Sequence, residues 1–187
     1  MVFRVCSCLI LFFCLQIRGQ LQNLALAPGV SYRVFPGSWN RSLLDEKLGS
    51  LIDTDLQRET GQRQNLLVNG KVRESAVRYN YHTAHERDRF LIIEFDLGRP
   101  AKVQQLKVSA FRNNSLYAMK RVQLSSSLDQ FLFQPQGSVE ANQILLGKDI
   151  YQAEFTLPDI GMRFFRVAVW AHSWINVSEI EVWGIWQ

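Results

Sequence analysis

The sequence predicts an all-β fold, an antiparallel sandwich or jelly roll, on three observations. Apolar and polar residues alternate in several short runs, turn residues punctuate those runs, and helical periodicity is scarce. In the clearest run Leu91, Ile93, Phe95 and Leu97 fall on one face of a pleated segment, with Ile92, Glu94 and Asp96 on the other. Gly98-Arg99-Pro100 then breaks the run with turn chemistry. Leu106, Val108 and Ala110 repeat the pattern against Gln105, Lys107 and Ser109, and Val122 and Leu124 make a shorter version before a Ser125-Ser126-Ser127 turn. Near the end, Phe165, Val167 and Val169 alternate with Arg166, Ala168 and Trp170, and Ile180 and Val182 with Glu179, Glu181 and Trp183. Upstream, Val30 to Phe35 reads as a first strand between Pro28-Gly29 and Pro36-Gly37. Ser42 to Leu56 carries at most one short helical turn, and the polar stretch from Glu59 to Arg89 reads as a long excursion holding one strand.

Composition bounds the function. The chain has 187 residues, 47% of them hydrophobic and 20% charged, an ordinary globular balance that excludes disorder and low-complexity arrays. Residues 1–19 have a basic start, an apolar run from Val5 to Ile17 too short to span a bilayer, and a small residue at Gly19. That pattern is a secretory signal peptide, leaving residues 20–187 as one exported β-sandwich domain without a transmembrane segment. All three cysteines (Cys6, Cys8, Cys14) fall in that leader, so the body has neither a disulfide scaffold nor a cysteine zinc site. The formal charge of +4 includes Arg4 and Arg18 of the leader, and the small remainder gives no reason to expect a nucleic-acid partner.

Catalytic patterns are missing from the sequence. There is no Gly-x-Ser-x-Gly elbow and no glycine-rich phosphate loop. His82-Thr83-Ala84-His85-Glu86 has neither zinc-hydrolase spacing, and the segment does not read as a helix that would put both imidazoles on one face. Asn40, Asn113 and Asn176 each begin an N-glycosylation acceptor triplet, the first and last in expected loops.

Four short motifs, in order, carry a family resemblance. Leu51-Ile52-Asp53-Thr54-Asp55 resembles an early Leu-Thr-Asp-Gly turn, and Ile93-Glu94-Phe95-Asp96-Leu97-Gly98 resembles an Asp-Leu-Gly strand. Tyr117 to Asp129 resembles a strand closing in Ser-x-Asp. Arg163-Phe164-Phe165-Arg166-Val167 with Ser178-Glu179-Ile180-Glu181-Val182-Trp183-Gly184 resembles an Arg-aromatic-aromatic-Arg-Val … Glu-Ile-x-Val-x-Gly ending. Together they are similar to the galactose-binding-like jelly rolls: discoidin and coagulation-factor C-type domains and related carbohydrate-binding modules. The resemblance covers roughly Leu24 to Gly184.

The resemblance implies a non-catalytic domain whose ligand site lies in loops at one end of the jelly roll, with glycans, including galactose-type sugars, as the expected partner. His82, Arg112 and Asn114 would supply hydrogen-bonding forks for sugar hydroxyls, and Trp174, in the loop before the last strand, an aromatic face for the ring. The family's structural calcium would fall to Asp53, Asp55 and Glu179, carboxylates from distant segments that suit a hard cation. Thr54 stands where the family usually has glycine. The alternative is a discoidin-type adhesion domain binding a partner protein or a membrane surface, for which Trp39, Leu43 and Leu44 are the exposed apolar residues to expect.

Overall fold

The computed structural model describes residues 20–37, 77–80, 90–111, 119–147, 150–171 and 174–187. Ten strands and one short 3-10 turn account for most of them. They are β1 (Gln22–Asn23), the turn Leu24–Leu26, β2 (Ser31–Gly37), β3 (Val77–Asn80), β4 (Phe90–Phe111), β5 (Met119–Ser127), β6 (Gln134–Glu140), β7 (Leu145–Leu146), β8 (Ile150–Ala171), β9 (Trp174–Val177) and β10 (Glu179–Trp186). The pairings are all antiparallel, as the alternation predicts.

Two long strands, β4 and β8, organise the body. Each runs through one layer, bends, and continues in the other. Residues 90–96 of β4 lie between β2 and residues 164–170 of β8, and β8 carries the layer on to β5 and β6. Residues 101–111 of β4 lie between β10 and residues 150–162 of β8, with β1 beyond β10 and β7 beside β8. The register between β4 and β8 slips between Asp96 and Ala101, where Gly98 adopts φ +81°. The expected turn at Gly98-Arg99-Pro100 is therefore a bend within a continuous strand, because both flanking halves keep the same partner strand.

The core lies between the layers. Leu91, Ile93, Phe95, Val167, Val169, Leu106, Val108, Ile180 and Val182 are buried as their alternation predicts. Phe95 and Phe165 stack at 4.6 Å between ring centres. The acids beside Phe95 meet the arginines beside Phe165. Arg163 clamps Asp96 with two bonds, Nε to Oδ1 at 2.9 Å and Nη2 to Oδ2 at 3.0 Å, joining the two bends. Arg166 Nε donates to Glu94 at 2.6 Å. Two of the resembling motifs are thus each other's packing partners.

Several expectations need correcting. Ser125-Ser126-Ser127 is the end of β5 and not a turn, since each serine pairs with β8 and Ser126 and Ser127 are buried. Trp174 lies in β9 and not in a loop; its backbone pairs with Asn80 of β3. Asn176 and Val177 are likewise strand residues, so that triplet is not in a loop either. Among the described residues, the excursion before Arg89 holds β3.

Candidate functional site

Strand polarity decides which chain segments share an end of the sandwich. One end, the rim, is marked by Phe90, Phe111, Met119, Ile150, Ala171 and Glu179, which neighbour one another across β4, β5, β8 and β10 or lie one or two residues off register. The opposite pole holds the bends of β4 and β8 and the β5–β6 connection.

At the rim, β3 pairs with β9, Asn80 opposite Trp174 and Val77 opposite Val177. Ser178 donates to the Ser109 carbonyl from its backbone nitrogen at 2.8 Å and from its hydroxyl at 3.1 Å, fixing the β9–β10 junction to β4. Gln152 Nε2 donates to Ser109 Oγ at 3.2 Å. Glu179, opposite Ser109 in the register, is 1% exposed. Ser109, Ser178 and Glu179 thus form a buried polar floor at the rim.

Of the residues expected to bind sugar, His82, Arg112 and Asn114 lie outside the described residues, as do Asp53 and Asp55 of the expected calcium set. So do Trp39, Leu43, Leu44 and the leader, residues 1–19. The described strands flanking these segments are informative. Asn80, opposite Trp174, ends β3 two residues before His82; Phe111 ends β4 at the residue before Arg112; Val77, opposite Val177, closes the segment that carries Asp53 and Asp55. Among the described residues no three or more His, Cys, Asp or Glu side chains group as metal ligands, and no helix is long and apolar enough to cross a membrane.

The alternation pattern left two features of the outward face of the β2–β4–β8–β5–β6 layer unread. Next to the rim, Phe90 stacks on Trp170 at 4.7 Å and the Arg121 guanidinium sits 4.0 Å over the Trp170 ring. Three neighbouring strands thus present an aromatic plate with a cation on it. Arg121 Nε is buried with no hydrogen-bond partner among the described residues. Farther from the rim, Glu94 is 3% exposed although its position in the alternation marks it as outward. Arg166, Gln130 and Arg33 all donate to it. Burial alone would raise this carboxyl, but those three donors and the Arg166 charge outweigh burial and hold it below the usual glutamate range.

No family model and no curated protein matches the chain. Solved structures do. The chain is similar to CpGH89CBM32-5 from Clostridium perfringens, solved in complex with GalNAc-β-1,3-galactose: TM-score 0.57, 10% identity, 87% of this chain and 99% of that one. It is similar to CBM32-1 from a family 31 glycoside hydrolase of Clostridium perfringens, at TM-score 0.54 and 13% identity over 85% and 96% of the two chains. A Ruminococcus gnavus GH29 fucosidase solved with fucose matches at TM-score 0.56 and 12% identity, over 88% of this chain and 27% of the fucosidase. At such identities the likeness concerns architecture. The chain has the galactose-binding-like β-sandwich fold seen in CBM32 carbohydrate-binding modules.

Proposed function

We propose that this chain is a secreted, non-catalytic carbohydrate-binding domain that takes a galactose-type glycan at the rim. The observation that carries the reading is the Asn80–Trp174 pairing. It ties the β3 end leading to His82 to the strand that begins with Trp174, at the end where β4 leads into Arg112 and Asn114. His82, Arg112 and Asn114 act as polar forks and Trp174 as the stacking face, with Trp170 and Arg121 extending the site onto the adjoining sheet. The likeness to a module solved with GalNAc-β-1,3-galactose supports this choice of ligand class. A single site of this kind is weak, since a sugar exposes few apolar groups and is costly to dehydrate.

Arg112→Ala and His82→Ala should each reduce glycan-array binding by about 10- to 100-fold, the loss of one charge-assisted or multiple hydrogen bond, with the melting temperature unchanged. Parent-like binding by both variants would remove these residues from the site.

Calcium belongs to the same reading. Asp53, Asp55 and Glu179 would hold it as a structural ion that staples the segment before β3 to the start of β10. In support, Glu179 is a buried carboxylate two residues beyond Val177, the partner of Val77. Bound at about 100 times its dissociation constant, the ion would add about 2.7 kcal/mol. Chelation should then lower the melting temperature by about 5–10 °C, and an unchanged melting curve would strike these residues from the metal list.

A further inference from the structure

The β5–β6 connection at the pole opposite the rim holds three large apolar side chains out in water. Phe131 is 87% exposed, Leu132 75% and Leu128 60%. Their presentation is built. Asp129 Oδ1 accepts from the Phe131 nitrogen at 2.9 Å, the Leu132 nitrogen at 3.1 Å and the Ser127 hydroxyl at 2.8 Å. Ser127 Oγ in turn accepts from the nitrogens of Asp129 and Gln130. Gln130 sits at φ 71°, a left-handed conformation unfavourable for a residue with a Cβ, and its side chain is anchored to buried Glu94 at 3.0 Å. A loop selected only for stability would not combine an unfavourable backbone conformation with a solvated phenylalanine.

Beside this knob is a hole. A cavity of about 230 Å³ opens between the connection and the bend of β8, with Leu128, Leu132 and Ile160 on its apolar side and Asp129, Gln134 and Gln136 on its polar side. That is room for one benzyl group, since a cavity of about 150 Å³ accommodates benzene. Two polar groups in its wall already bond each other: Gln136 Nε2 donates to Ser126 Oγ at 2.8 Å. An entering ring therefore leaves that pair intact.

A knob and a fitting hole on one patch are what a two-fold symmetric interface requires, because each copy must offer both halves of the contact. Charge also permits it. Around the connection Arg33, Arg163 and Arg166 are matched by Glu94, Asp96 and Asp129, so two like copies meet without net repulsion. The same balance disfavours a membrane, where a small apolar insertion needs a second, basic signal to hold. We propose that this pole is a homodimer interface in which Phe131 of each copy enters the other's cavity beside Ile160 and Gly161. This interface does not depend on the carbohydrate reading.

Sedimentation analysis of the full chain from micromolar to millimolar concentration tests it. The parent should show a monomer–dimer equilibrium. Phe131→Ser removes both knobs, and at about tenfold per contact the dimer should weaken on the order of a hundredfold, with an unchanged melting temperature. Gly161→Glu fills both holes with charge; a Cβ at that position meets nothing nearer than Gln187 Nε2 at 3.9 Å, so the monomer tolerates it. Mixed in equal amounts, the two variants regain one knob and one hole. The mixed dimer should form roughly tenfold more tightly than either variant alone. A parent that stays monomeric, a Phe131→Ser variant that dimerises normally, or a mixture that recovers nothing would each overturn the proposal. So would a monomeric parent that pelleted with phosphatidylcholine–phosphatidylserine vesicles through Phe131.

Discussion

Gly184→Ala is expected to destabilise the domain by about 3 kcal/mol, the upper part of the range for overpacking a core site, and to lower the melting temperature by about 6–12 °C. Gly184 lies where the register of β10 on β4 slips. A Cβ built there overlaps the Lys102 carbonyl oxygen, reaches Val103 Cα at 3.1 Å and touches Leu24 Cδ1 at 3.0 Å. Two of those atoms are backbone of a central strand and cannot turn aside. The glycine that ends the Glu-Ile-x-Val-x-Gly motif is thus explained by close approach of two backbones, with no reference to ligand. Thermal unfolding of the variant checks this, and a loss below about 1 kcal/mol would mean that β10 shifts outward easily.

Arg166→Ala should cost about 3 kcal/mol, the low end for breaking a buried ion pair. Glu94 keeps Arg33 and Gln130 as donors, and the Arg166 side chain is 35% exposed, so the penalty stays below that of a fully buried pair. Part of the loss is packing, because the Arg166 guanidinium lies 3.7 Å over the Phe133 ring. The pH dependence has a definite sign. Hydrogen bonds from Arg163 hold Asp96 below its ordinary value of 3.8, and Glu94 is held below 4.5. Folding therefore releases protons from these groups. Their stabilisation is complete above the ordinary carboxylate range and is lost as pH falls through and below it. Without Arg166, burial of Glu94 is less well opposed, so acid unfolding of the variant should begin at a higher pH than in the parent. An unchanged acid midpoint would mean that Glu94 does not depend on Arg166 for its ionisation.

The alternation of Leu91, Ile93 and Phe95, and of Phe165, Val167 and Val169, was legible because each run contacts the core with one face only. The same rule failed at Glu94. Period-two patterning assigns it to solvent, yet side chains from β2, β8 and the β5–β6 connection close over it, and such convergence of distant segments has no local signature. Ser125 to Ser127 misled for another reason: serine favours turns, but here tertiary pairing with β8 overrides that preference. β6 (Gln-Pro-Gln-Gly-Ser-Val-Glu) is unreadable as a strand because, paired among the described residues with β5 at the margin of its layer, it can carry proline and glycine and little apolar surface. Of the expected site, the run of β4 towards Arg112 follows from the alternation of Leu106, Val108 and Ala110, whereas the pairing of β3 with β9 does not, since no motif marks either strand. The Trp170–Arg121 plate does not, since the two residues are 49 positions apart and meet only through β5–β8 pairing.

Because β4 and β8 are 22 residues long and each serves both layers, neither layer can peel away without bending or breaking a strand that the other depends on. Loosening therefore has no internal seam to follow, and the body should melt as one cooperative unit.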